Sequence, residues 1–181
     1  MAKICTTEKT ARRQEWIEEG LLDLMRHRRF EEITVTELCD TLSLSRRSFY
    51  RYFRDLEDVL DSAMNHVFQK MAIPERFPDL EEIRRNYEFW RENRAVLDAL
   101  HHSGMTDRLF EYVARYTSSM KLPEAAMDPE LQEEVRIFAT AGSIALILNW
   151  YESGFSKTPE EMSRNVCRML YEPLLKENRR L

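Results

Sequence analysis

Apolar residues return at intervals of three and four along most of this chain, and nowhere does apolar–polar alternation persist; that contrast restricts the fold to helices. Ile17, Leu21, Leu24 and Met25 show the spacing clearly. Only four glycines (Gly20, Gly104, Gly142, Gly154) occur in 181 residues, which leaves little from which to build hairpins or Gly-rich phosphate loops. The expected fold class is all-α. At 43% hydrophobic and 33% charged, the chain has material for a core and no compositional reason to be disordered. Its length suits one compact unit, or a small head joined to a larger body.

Local punctuation divides the chain into about nine helices. The first is expected over Thr10 to Arg28, with Arg26, His27, Arg28 and Arg29 in a last turn where cations suit the helix dipole. Phe30 and Ile33 anchor a short link. Thr34 with Glu37 three residues later matches a capping box, opening a second helix that runs to about Leu42. Ser45 is a plausible N-cap for a third, Arg46 to Phe53, and Asp55 with Asp58 for a fourth, which runs from about residue 56 to 71. Pro74 and Pro78 place a boundary between Met71 and Asp79, so the organisation reads as a head over 1–55, a connecting helix, and a body over 72–181. Body helices are expected over Leu80 to Glu92, Ala95 to His102, Asp107 to Lys121, Leu131 to Glu152 and Pro159 to Leu175. Gly104 and Gly154 suit C-terminal stops, and Pro123 and Pro129 bracket a loop. Thr158-Pro159-Glu160-Glu161 is a capping box with proline at the first helical position.

The net charge of −5 hides an asymmetry. Residues 1–54 carry 11 Lys/Arg against 9 Asp/Glu, residues 55–181 carry 16 against 23, and the stretch Leu42 to Arg54 holds four arginines and no acid. Screening confines electrostatic attraction to roughly 8–10 Å, so a locally basic head can approach phosphates while the body stays acidic. The longest apolar run, around Ile144 to Trp150, is far short of a membrane span, and no secretory leader is evident, so the expected location is the cytoplasm. Cys5, Cys39 and Cys167 are scattered and lack metal-site spacing; they read as reduced thiols.

The segment from Thr34 to Phe53 carries most of the functional information. It reads as two short helices joined by a tight turn at Ser43-Leu44. At about 100° per residue, Arg46, Arg47, Tyr50, Arg51 and Arg54 share one arc of the third helix, while Phe49, Tyr52 and Phe53 fall on another. A solvated basic face would look the same in isolation. An outward face of arginine and tyrosine is also what major-groove docking uses, with guanidinium groups bridging guanine O6 and N7 and hydroxyls holding phosphates.

The run Leu38-Cys39, Ser43-Leu44-Ser45, Arg46-Arg47, Ser48, Phe49, Tyr50, Arg51, Tyr52, Phe53, followed by Asp55-Leu56-Glu57-Asp58-Val59-Leu60, resembles the DNA-binding domain of the TetR family of transcriptional regulators. Phe138 to Gly154 with Thr158-Pro159-Glu160-Glu161-Met162 is similar, less closely, to a subgroup of that family that includes regulators of dihydroxyacetone kinase operons. The resemblance implies a homodimeric regulator, commonly a repressor, on a double-stranded inverted-repeat operator, released by an effector. It implies that Arg46, Arg47 and Ser48 face bases, that Tyr50 and Tyr52 reach phosphates, that Thr34 or Thr36 touches the backbone or groove edge, and that Phe49 and Phe53 are core. Ser45, Arg51 and Arg54 complete the expected DNA-binding set. Two positions depart from the family pattern. Ser43 stands where a turn glycine is usual and should therefore accept positive φ. Leu56 replaces a common lysine and removes one phosphate contact, for which Arg54 could compensate.

In the body, Ala139, Gly142 and Ala145 make a low surface that another helix could approach, and Met162, Val166 and Met169 give the last helix an apolar stripe. These six read either as a two-fold dimer interface or as the internal core of one chain. Tyr87, Trp90, Phe110 and Tyr116 are available to line an effector pocket, although large apolar residues at helical spacing also make ordinary core. Neither a metal nor an organic cofactor is expected. His101 and His102 are adjacent and point apart on a helix. An enzyme is disfavoured because no spacing assembles nucleophile, base and oxyanion donors. The competing function is a protein-interaction module on the same scaffold, its partner bound by the body.

Overall fold

The helix starts are decided by short polar side chains that satisfy free backbone N–H groups. In the computed structural model, which describes residues 8–71, 78–117 and 128–171, these caps are formed at almost every predicted start. The helices are α1 (Glu8–Met25), α2 (Val35–Thr41), α3 (Arg46–Phe49), α4 (Leu56–Met71), α5 (Leu80–Glu92), α6 (Arg94–His102), α7 (Thr106–Thr117), α8 (Pro129–Glu152) and α9 (Pro159–Val166). Among the described residues there are no strands, and the fold is all-α. Thr158 and Glu161 make the reciprocal capping box in full, as do Asp79 and Glu82, a pair that the sequence reading had passed over.

Several boundaries move for identifiable reasons. α1 ends at Met25, so Arg26 to Arg29 lie beyond its last turn; Arg28 instead ion-pairs with Glu32 and Glu37. Because Glu37 is drawn to Arg28, the box at α2 is only half made, with the Thr34 hydroxyl accepting from the Glu37 amide at 3.1 Å. α8 starts at Pro129, two residues before the expected Leu131, with the proline in its first turn behind the Asp128 cap. After Val166 the last helix widens into a π-turn over Cys167–Tyr171. The expected C-terminal extents of α7, to Lys121, and of α9, to Leu175, lie outside the described residues, as do Cys5, Pro74 and Pro123. Gly104 (φ 77°) and Gly154 (φ 68°) end their helices in the left-handed region that glycine tolerates.

Two compact units interleave in sequence. The first comprises Met1–Lys70 with Ala95–Arg108, the second Met71–Arg94 with Leu109–Leu181. The first has a core of fully buried Ile17, Leu21, Met25, Leu38, Phe49 and Leu60. Burying a side chain of this size is worth roughly 1.5–3 kcal/mol. Within this unit the Phe30 amide donates to the Ser103 carbonyl at 3.1 Å, and Arg108 pairs with Glu57 at 2.8 Å. The α6–α7 corner is therefore tied to the link after α1 and to the start of α4. In the second unit α9 packs against α5, and the rings of Tyr87 and Trp150 meet edge to face with centroids 5.3 Å apart. The Thr117 and Thr140 hydroxyls meet at 3.1 Å where α7 passes α8. No helix among the described residues is long and apolar enough to cross a membrane.

Candidate nucleic-acid interface

α2, the turn 42–44 and α3 present a small polar surface whose geometry is locally determined. The turn closes through the Leu44 amide on the Cys39 carbonyl at 2.8 Å, and Ser43 sits at φ 48°. A left-handed serine costs on the order of 1 kcal/mol, and here it stands where the sequence reading expected positive φ. Ser45 then caps α3. Its hydroxyl accepts from the Ser48 amide at 3.1 Å and meets the Ser48 hydroxyl at 2.9 Å.

α3 is shorter than the predicted Arg46 to Phe53. Its regular part is a single turn, because the Tyr52 amide bonds back only three residues to Phe49 at 2.8 Å. The tightening lets Phe49 (0% exposed) and Phe53 (1%) both enter the core. The rings of Phe49 and Tyr50 meet edge to face at 5.3 Å, with Tyr50 itself 48% exposed.

The ten expected DNA-facing residues separate into three groups. Arg46 and Arg47 are exposed at the start of α3 and Tyr50 at its end, Ser48 is half-buried, and Thr34, Thr36 and Ser45 are exposed at and beside the two helix starts. Arg46 lies 5.9 Å from the Tyr50 ring centroid, and its pKa is raised by a hydrogen bond to the Tyr50 hydroxyl. Arg51 is folded onto half-buried Tyr52, donating to its hydroxyl at 3.0 Å. Arg54 is tied to Asp58 by its guanidinium at 2.9 Å and by its backbone amide at 3.1 Å, while Asp55 caps the Asp58 amide at 2.8 Å. Arg54 thereby fixes the entry to α4, and its hydrogen bond holds the Asp58 carboxyl below the usual carboxylate range.

The body residues singled out in the sequence are dispersed. Tyr87 and Trp90 are buried at 3% and 1% exposure, and burial pushes the Tyr87 phenol up to about 12. Phe110 is exposed, and the side chain of Tyr116 lies outside the described residues. Met162 and Val166 are buried inside the chain's own second unit, whereas Met169 and Ala145 are exposed and Ala139 is half-buried. A Cβ built on Gly142 meets nothing within 4 Å. The same exposed side of α8 carries Ile137 and Phe138, 53% and 68% exposed, which the sequence reading had not separated from core. A cavity of about 490 Å³ lies between the end of α8 and α9, and its lining among the described residues includes none of Tyr87, Trp90 and Phe110.

Residues 80–172 match the model of a family described as a transcriptional regulator C-terminal region of the TetR type. The chain is 22% identical over 165 residues to an uncharacterised HTH-type transcriptional regulator, YxbF, of Bacillus subtilis (strain 168), covering 85% of this chain. It spans 43% of that relative's length. Among solved structures, it is similar to the dihydroxyacetone kinase operon activator DhaS, with a TM-score of 0.59 and 15% identity over 88% of this chain and 94% of that one. A TetR transcriptional regulator from Streptococcus agalactiae 2603V aligns with a TM-score of 0.63 and 13% identity, over 90% and 95% of the two chains. At these identities the structural likeness speaks for the fold.

Proposed function

This chain belongs to the TetR family of transcriptional regulators, and from that premise we propose that it pairs as a homodimer whose two heads read an inverted-repeat operator in double-stranded DNA. The single observation that carries this reading is the Ser45-capped start of α3, which offers Arg46 and Arg47 outward from a 13-residue stretch, Leu42 to Arg54, without an acid. In this reading Arg46, Arg47 and Ser48 contact base edges, while Tyr50, Tyr52 and the Thr34 and Thr36 hydroxyls hold phosphates.

Pairing would use the exposed side of α8. Phe138, Gly142 and Ala145 form an apolar strip with no bulk at its centre, so a second helix can approach closely. An effector in the body acts by favouring a head spacing that no longer matches successive major grooves. To lower DNA affinity a hundredfold, it must prefer the unbound geometry by about 2.7 kcal/mol. Repression released by an effector is the mode we propose, in the cytoplasm.

The test is selection from a random duplex library at about 0.15 M salt, where purely electrostatic binding is weak. A recovered inverted repeat is the expected result. Folded protein that enriches no motif would overturn the reading.

A further inference from the structure

The four arginines between Leu42 and Arg54 have different partners, and the difference divides them by what they can do. Arg54 is paired with Asp58 at 2.9 Å, so its charge is met inside the chain. Arg47 makes no hydrogen bond, ion pair or ring contact among the described residues. Arg46 lies 5.9 Å from the centroid of the Tyr50 ring. Arg51 is held most closely by a neutral group: it donates to the Tyr52 hydroxyl at 3.0 Å and lies 5.0 Å from that ring's centroid.

On an ideal helix Arg51 would share the arc of Arg46 and Arg47, but it lies beyond the regular turn of α3. The Tyr52 amide bonds back to Phe49 at 2.8 Å and Phe53 beside it is 1% exposed, so the core fixes the backbone that carries the pair. A guanidinium laid on its neighbour's ring runs along the surface, and that rotamer is not the extended one that enters a groove. Its charge meets no acid among the described residues, and its other N–H groups stay available. The Tyr52 hydroxyl accepts from Arg51 and donates to no described residue. A phenol that accepts from a cation is polarised to donate its own O–H more strongly. Two donors, one of them charged, therefore lie 3.0 Å apart on a surface that suits a single anionic group. Holding the long arginine against a half-buried ring before DNA arrives lowers the cost of ordering it.

We propose that Arg51 and Tyr52 act as one clamp on a single DNA phosphate, Arg51 gripping the backbone and reading no base. The clamp rests on the DNA-binding reading above, which gives Arg51 no role. It does not rest on an operator, because a phosphate contact works on any duplex sequence.

The full chain is titrated by fluorescence anisotropy onto a selected operator and a scrambled duplex, between about 0.05 and 0.2 M salt. Arg51→Gln changes one exposed side chain, and its fold is checked by circular dichroism. It should weaken binding at least about fivefold on both duplexes, as expected for loss of a charge-assisted contact. The slope of log affinity against log salt should fall by about 0.9 for each head on the duplex. Arg51→Lys should restore the slope but only part of the affinity, since an ammonium lacks the planar fork that serves phenol and phosphate together. In a Tyr52→Phe background the Arg51→Gln loss should shrink to about twofold or less, because parts of one clamp do not add.

An Arg51→Gln loss confined to the operator would make Arg51 a base reader and overturn the clamp. So would an unchanged salt slope, or additive losses in the double variant. If no operator is recovered while the slope on the scrambled duplex falls as stated, the clamp stands and the sequence-reading proposal fails. Native protein that binds neither duplex would overturn both.

Discussion

The start of α3 and the outer side of α8 are both exposed surfaces without a partner in one chain, but they are written in different chemistry. At α3 the exposed groups are arginines and a tyrosine, set by a serine cap and anchored from beneath by Phe49. At α8 they are Ile137 and Phe138 with small residues beside them. A polar surface of one sign suits an anionic complement, which its chemistry specifies by charge and donor geometry. An exposed apolar strip advertises only another apolar surface, and its letters are those of the core. That is why Met162 and Val166, grouped with Met169 in the sequence, turn out buried within one unit while Phe138 is open.

This contrast can be strained by substitution. The largest effect is expected where α3 is anchored: Phe49→Ala leaves a cavity under the motif and should cost about 3–5 kcal/mol in chemical denaturation of the first unit. A loss below about 1 kcal/mol would mean that the surface is not held from beneath. On α8, Gly142→Leu should be tolerated by the single chain, since a Cβ there meets nothing within 4 Å. It should nonetheless weaken self-association at least about tenfold by sedimentation equilibrium. Unchanged association would move the proposed pairing away from this strip.

Asp58 offers a test by pH. Its carboxyl is held below the usual range by Arg54, so its contribution to stability is present above the unfolded value of about 3.9 and is lost as pH falls through the folded one. Asp58→Asn should therefore be less stable near neutrality, and its unfolding free energy should fall less steeply between about pH 5 and 2. Parallel pH profiles for the two proteins would show that the pair contributes nothing. The smallest effect is expected at Ser43, whose φ of 48° glycine accepts without strain. Ser43→Gly should raise stability by about 0.5–1 kcal/mol, and a loss would mean that the serine side chain has a role in the turn.

What was legible in the sequence was mostly local. Thr34, Ser45 and Thr158 announce helix starts because a cap needs only its own next three residues, whereas the left-handed turn at Ser43 was legible only through the family resemblance, in which a glycine usually stands there. The extent of α3 was not legible, since its tightening depends on two phenylalanines reaching one core. Nor was the pairing of Arg54 with Asp58, which ties the entry of α4. The groove between α8 and α9 was not legible either, since it depends on a positive φ at Phe155 and on bonds across the α8–α9 turn.

The central claim is that α3 reads sequence. It is tested most directly by fluorescence anisotropy of the full chain on a selected operator and on a scrambled duplex at one salt concentration, comparing native protein with Arg47→Ala and Tyr52→Phe. Arg47→Ala should lose about 1–3 kcal/mol on the operator and little on the scrambled duplex, while Tyr52→Phe weakens both alike. Equal losses on both duplexes for Arg47→Ala would show that α3 grips phosphates and reads no bases.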